Sequence, residues 1–196
     1  MNAIQYDLIA ALPEMLVLTM AMFILLLDLF LKPSNRFLIY IFAQITLLGA
    51  AFITVSTHNP SVGYFFSGMF VDDALSDVLK LMIYLATSML LAYSRSYISL
   101  RGMYRGEFYA LVLFAMVGMM IMVSGQHFLT LYMGLELLSL CLYTLVALDR
   151  DNPRATEAAM KYFVLGALAS GMLLYGMSML YGVTGSLNIA EVASAL

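Results

Sequence analysis

The sequence predicts an all-α protein, a polytopic transmembrane bundle of about six membrane-spanning helices. Three observations carry that expectation. Of the 196 residues, 63% are hydrophobic and 11% charged, with a mean hydropathy of +0.94, well above the apolar share of a water-soluble domain. The apolar residues fall into six segments, each near the roughly 20 residues that a helix needs to cross a bilayer core. Seven of the nine basic residues lie in alternate connections between those segments, leaving the other connections without any.

The segments run over 12–31, 37–56, 74–93, 108–124, 128–148 and 155–181, as one transmembrane domain covering 1–196. The last is long enough to tilt or to begin in the interface. Ahead of the first, MNAIQYDLIAALPE has no Lys or Arg, so no signal peptide is expected. The stretch 58–73, HNPSVGYFFSGMFVDD, is rich in Pro, Gly and aromatics and suggests a compact loop or hairpin on the membrane surface. Lys32 and Arg36 follow the first segment, Arg95, Arg101 and Arg105 the third, and Arg150 and Arg154 the fifth. By the positive-inside rule these loops face the cytoplasm and the N-terminus faces outward. With no Trp, interfacial aromatics fall to Tyr93, Tyr97, Tyr104 and Tyr109.

Net charge is only −3 and the bases form no cluster, so nucleic acid is not an expected partner; the lipid bilayer is. The single cysteine, Cys141, excludes an intrachain disulfide and reads as a small packing residue. Seventeen methionines show no repeated metal-ligand spacing, and no phosphate loop, dinucleotide fingerprint or nucleophile–base–acid set is present.

Ionisable residues inside the apolar segments are where chemistry can reside, since each costs a few kcal/mol in a bilayer and needs a partner or a task. Asp28 and Lys32, four apart, suit an interfacial ion pair. Glu14 follows Pro13 at a helix start, an ordinary place for an acid, as are Asp72 and Asp73 ahead of the third segment. His58 and His127 read as solvated loop residues. Asp77 and Lys80 lie three apart on one face, either neutralising each other or taking part in an ion path.

Glu136, in LYMGLELLSLCLY, is deeper. Counted from Leu148 at about 1.5 Å per residue it lies roughly 18 Å into the membrane, with no base within four residues. Its partner must come from another helix, and Lys161, about 9 Å deep by the same count, is the first candidate. A buried acid with a nearby movable ammonium is what a proton relay requires, though a pair that only fixes helix packing has the same spacing. Nearby, Gly166 and Ser170 are four apart, as are Ala167 and Gly171, a small-residue face that admits a close helix neighbour.

Leu129 to Ile189, with GLE in one span, EAAMKYFVLGALASG in the next and YGVTGSL after it, resembles subunit N of the proton-pumping NADH:quinone oxidoreductases, bacterial complex I; FVDDALSDVLK and the preceding helices are similar in character. The resemblance implies an antiporter-like subunit, related to cation/proton antiporter subunits, in the bacterial inner membrane. It would translocate protons while other subunits bind NADH and quinone and carry out the redox reaction. The subunit would be part of an enzyme, with other membrane subunits as partners and no cofactor of its own. The GLE glutamate and the KYF lysine, here Glu136 and Lys161, would be charged members of a half-channel, with Asp77 and Lys80 as secondary candidates.

Members of that family have about fourteen helices in inverted repeats. Six helices ending at Leu196 therefore match the N-terminal part of such a subunit, whose first repeat is incomplete. Two other readings are a multisubunit cation/proton antiporter, which sodium dependence would reveal, and a structural membrane scaffold indifferent to loss of its buried charges.

Overall fold

A computed structural model describes residues 3–31, 36–58, 62–101 and 105–195. Helix α1 (Ala3–Ala10) leads into α2 (Leu12–Phe30), which has Pro13 in its first turn, where a missing N–H costs nothing. Helix α3 is Phe37–Thr57, and a two-stranded antiparallel hairpin follows, β1 (Gly63–Phe65) paired with β2 (Phe70–Asp72). The turn between the strands places Phe66, Ser67 and Gly68 at φ of 51°, 56° and 83°, and the Phe66 N–H is held by Asp7 Oδ1 of α1 at 3.2 Å. Two successive non-glycine residues at positive φ are uncommon, and fixing the turn to α1 offsets part of their strain.

Helix α4 (Ala74–Leu100) starts with a reciprocal cap: Asp73 accepts the Ser76 N–H at 2.7 Å, and the Ser76 hydroxyl accepts the Asp73 N–H at 3.0 Å. It runs about two turns past the apolar segment that ends at Tyr93, because SRSYISL continues the helix after the hydrophobic band stops. Helices α5 (Gly106–Ser124) and α6 (Phe128–Val146) are joined by a tight turn. Helix α7 (Pro153–Thr184) begins at an Asn152 cap and ends at Gly185, whose φ of 71° is the left-handed conformation that closes a helix; α8 (Ile189–Ala195) follows. Helices α1 and α8 are too short and too weakly periodic to stand out from the sequence.

The six long helices are each long and apolar enough to cross a membrane, so this is a multi-pass membrane protein. Helix α5 is central. It is apolar on all sides, and residues on every face, from Tyr109 through Met116 to Met120, are buried against α2, α3, α4 and α6. Small residues on its neighbours, Ala21 of α2 and Ala43 and Ala50 of α3, are fully enclosed and let the helices approach. Helix α7, in contrast, packs on α6 and buries only Ala159 and Met177.

Extended backbone ties one end of the bundle together. Phe70 bridges Gly125, His127 bridges Asn188, and Gln126 N–H, Phe128 N–H and Ile189 N–H bond Met69, Leu187 and Gln126 carbonyls at 3.0–3.2 Å. At the other end the arginines find partners: Arg36 with Asp28 at 3.5 Å, Arg150 with Glu107 at 3.3 Å, and Arg95, in the last two turns of α4, over the rings of Phe37 and Tyr40. Asp28 was expected to pair with Lys32, which, like Tyr104 and Leu196, lies outside the described residues.

Candidate functional site

Glu136 is set by two close helix contacts. On one side, α6 approaches α5 where glycine meets glycine: a Cβ on Gly134 would lie 2.7 Å from the Gly118 carbonyl oxygen, and one on Gly118 would lie 2.6 Å from the Gly134 oxygen. Only residues without side chains permit that crossing. On the other side, α6 meets α7, where Gly166 leaves the space that Tyr143 fills and the Tyr143 ring stacks edge-on with Tyr162 and Phe163 at 4.7 and 5.7 Å. Gly166 and Ser170 therefore use one stripe of the small-residue face, while Gly171, about 100° further round, has nothing within 4 Å.

Within this frame Glu136 and Tyr132, four residues apart on α6, converge on Ser170 of α7. The Ser170 hydroxyl donates to Glu136 Oε1, and Tyr132 Oη lies 2.9 Å from Ser170 Oγ. Ser170 has one hydroxyl proton, so when it serves Glu136 the remaining bond must be donated by Tyr132. The result is a directed chain, Tyr132 to Ser170 to Glu136, in a part-buried position. A carboxylate that accepts a hydrogen bond but has no ion-pair partner among the described residues can take up and release a proton without breaking a salt bridge.

The partner on the next helix is thus Ser170 and not Lys161. Lys161 Nζ contacts Glu157 Oε1 at 2.6 Å, four residues earlier on the same exposed face. With Ser170 opposite Glu136, Lys161 lies nine residues away, about 13 Å along α7, so a lysine side chain and one water cannot close the gap. The i,i+4 spacing of Glu157 and Lys161 was legible in the sequence. Ser170 was visible only as a small residue, and nothing local singled out its hydroxyl.

Asp77 and Lys80 do not neutralise each other. Asp77 Oδ2 lies 2.7 Å from His58 Nδ1, at the end of α3, and Lys80 Nζ lies 2.8 Å from Glu14 Oε1 on α2. Neighbouring helices supply better-placed partners than residues a turn apart. His58 is therefore more than a solvated loop histidine, and Glu14, 8% exposed, more than a first-turn acid. His127 caps α6 by accepting the Leu129 N–H at 3.3 Å, and Cys141 is a buried free thiol. Among the described residues no group of His, Cys, Asp or Glu is arranged to hold a metal ion.

Comparison with known proteins bears on what this arrangement belongs to. Residues 125–196 match the family described as NADH:quinone oxidoreductase/Mrp antiporter, transmembrane. The NADH-quinone oxidoreductase subunit N of Methylovorus glucosotrophus is 76% identical over 197 residues, covering 100% of this chain and 41% of that protein. That of Thiobacillus denitrificans is 59% identical, covering 95% of this chain and 38% of its own length. Among solved structures, respiratory complex I from Thermus thermophilus with bound aureothin superposes with a TM-score of 0.73 at 32% identity, over 90% of this chain and 38% of that one. The archaeal membrane-bound sulfane sulfur reductase, at 24% identity and a TM-score of 0.78, shares the fold. The chain thus spans about two fifths of the length of the curated relatives it matches. With identity of this order running the length of the chain, the protein belongs to the NADH-quinone oxidoreductase subunit N family.

Proposed function

We propose that this chain is part of a proton-translocating, antiporter-like subunit of an NADH:quinone oxidoreductase, with Glu136 as its proton carrier. The observation that supports this most directly is the Glu136 carboxylate, mid-span in α6, bonded to the Ser170 hydroxyl and unpaired with any cation among the described residues. Ser170 donates to the Glu136 carboxylate and Tyr132 lies within bonding distance of Ser170, so a hydrogen-bonded chain, and no ion pair among the described residues, fixes the acid. Lys161 lies about 13 Å from Ser170 along α7, and while it is paired with Glu157 its charge is largely offset as seen from Glu136. Its exposed ion pair with Glu157 is weak enough to rearrange, so the lysine can swing toward or away from the acid.

NADH oxidation and quinone reduction would take place in other subunits, and this chain would hold no cofactor. The membrane would be the bacterial inner membrane, with the arginine-bearing loops in the cytoplasm and the hairpin end outside, as the loop charges indicate. In sealed inverted vesicles carrying the intact assembly, Glu136→Gln is expected to leave NADH oxidation and assembly in place. Proton movement through this subunit should fall on the order of a hundredfold, the scale for losing one positioned proton carrier. Undiminished proton uptake per NADH would rule out the carrier role. Sodium-dependent uptake that survives in the variant would favour a cation antiporter.

A further inference from the structure

At the arginine-bearing end of the bundle two opposite charges share a cleft without meeting. Arg36 is paired with Asp28, Arg150 with Glu107, and Arg95 covers the Phe37 and Tyr40 rings. Arg101, which closes α4, has no acid paired with it among the described residues; its guanidinium lies over the Tyr97 ring, 5.4 Å from the centroid. Asp149, in the connection from α6 to α7, has no cation paired with it among the described residues; its Oδ2 accepts the Asn152 side-chain amide at 3.1 Å. Arg101 and Asp149 both line one cleft of about 370 Å³, between the end of α4 and the α6–α7 connection. The Tyr97 and Asn152 contacts keep the two charges on its opposite walls.

We propose that this cleft binds a zwitterionic aminophospholipid of the phosphatidylethanolamine type, with the lipid phosphate on Arg101 and its ammonium on Asp149. Three features support it. The first is charge. A guanidinium presents a planar fork of N–H donors that fits a phosphate, and a carboxylate has lone pairs for the three N–H donors of an ammonium. With one cation and one acid the cleft is neutral as a whole, so it matches a headgroup that carries one charge of each sign. A lipid with a phosphate alone would set its negative charge beside Asp149 as well as Arg101.

The second feature is depth. Tyr97 and Arg101 lie on the part of α4 that runs past its apolar band, and α6 ends at Val146, so the two charges sit where headgroups border the spans and where tyrosines gather. Basic pockets between spans at this level are suited to lipid headgroups. The third is the wall. Ile98 of α4 and Leu145 and Val146 of α6 lie about one turn deeper than Arg101 and Asp149, with Phe108 of α5 between them, an apolar surface along which an acyl chain can run into the bilayer. The volume falls within the roughly 300–1,000 Å³ of small-ligand sites, room for a headgroup and the start of one chain. Helices α4 and α6 each pack on α5, and a lipid bridging Arg101 and Asp149 would tie the end of α4 to the connection that leads into α7, the helix carrying Ser170.

The site does not depend on the role given to Glu136. Its test is photolabelling of the intact assembly in vesicles containing a phosphatidylethanolamine with a photoreactive group near the start of one acyl chain, the labelled residues being located by peptide mass spectrometry. Label is expected on Phe108, Leu145 and Val146. Unlabelled phosphatidylethanolamine should displace it on the order of tenfold better than phosphatidylglycerol, which has the phosphate but no amine, the scale for one charge-assisted hydrogen bond. Arg101→Gln should lower labelling of these residues on the order of tenfold while labelling elsewhere in the assembly stays the same. Asp149→Asn should abolish the preference for phosphatidylethanolamine over phosphatidylglycerol, which a loss of packing alone would not do. The competition is read on the native protein, so it decides the matter even if a variant fails to assemble. An unlabelled cleft would mean that protein covers it, equal displacement by the two lipids would mean that the amine is not recognised, and labelling indifferent to Arg101→Gln would mean that the phosphate is held elsewhere; any of these overturns the proposal.

Discussion

Lys80→Met, with Glu14 left in place, is expected to destabilise the folded subunit by about 3–5 kcal/mol, the scale for removing one partner of a buried ion pair. Lys80 is 1% exposed and Glu14 8%, and they meet at 2.8 Å, so no solvent waits to replace the lost ammonium. The remaining carboxylate would have to stay charged without a partner or take up a proton, and either is costly beside Phe70 and the apolar walls of α2 and α4. The loss should be largely reversed in the double variant Lys80→Met/Glu14→Leu, since replacing both ions by apolar groups of similar size is often neutral or stabilising. Thermal midpoints of the purified assembly, read for both singles and the double, give the coupling. A double variant as unstable as the sum of the singles would show that the two residues do not act on each other.

How little of this pair was visible beforehand follows from how sequence signals work. Hydropathy reports an average over a window, so six spans and the asymmetry of the loop charges were legible without any structure. The ends of the helices were less so: α4 continues through Ser94 and Arg95 to Leu100 because helix geometry outlasts the apolar band. Partners were least legible. Glu14 was explained locally by Pro13, which accounts for an acid at a helix start but says nothing about a lysine 66 residues away. Spacing along and between helices offers Asp77–Lys80 and Glu136–Lys161 as candidate pairings. Tertiary contacts redirected both, toward His58 and Glu14 in one case and Ser170 and Glu157 in the other. The 58–73 segment was recognisable as a compact loop by its Pro, Gly and aromatic residues. Its strands, three residues each, are too short to show a periodicity. The positions that mattered most for Glu136 itself, Gly118 and Gly134, carry no side chain to draw notice, and their role appears only when α5 and α6 are seen to cross.

That crossing makes Gly134→Ala a severe change for a single methyl group. In an isolated helix the substitution would stabilise by roughly 0.5–1 kcal/mol. Here the new Cβ would lie 2.7 Å from the Gly118 oxygen and 3.1 Å from the Met122 nitrogen, backbone atoms that no rotamer change can move. Helices α5 and α6 must separate, at a cost of about 1–3 kcal/mol for overpacking, which outweighs the propensity gain. Gly118→Ala meets the Gly134 oxygen at 2.6 Å and the Leu138 nitrogen at 2.9 Å, so it should cost a similar amount. Because each glycine makes room for the other, the helices need separate only once, and the double variant is expected to be less destabilised than the sum of the singles. Additive losses would mean that the two sites relax independently; a gain in stability would mean that the crossing is looser than these distances require. The separation also has a chemical consequence. Glu136 is two residues from Gly134 and reaches Ser170 across the opposite face of the same helix, so moving α6 away from α5 alters the geometry of the Tyr132–Ser170–Glu136 chain. Proton uptake per NADH in the assembled Gly134→Ala protein should therefore fall together with stability, although no ionisable group has been touched.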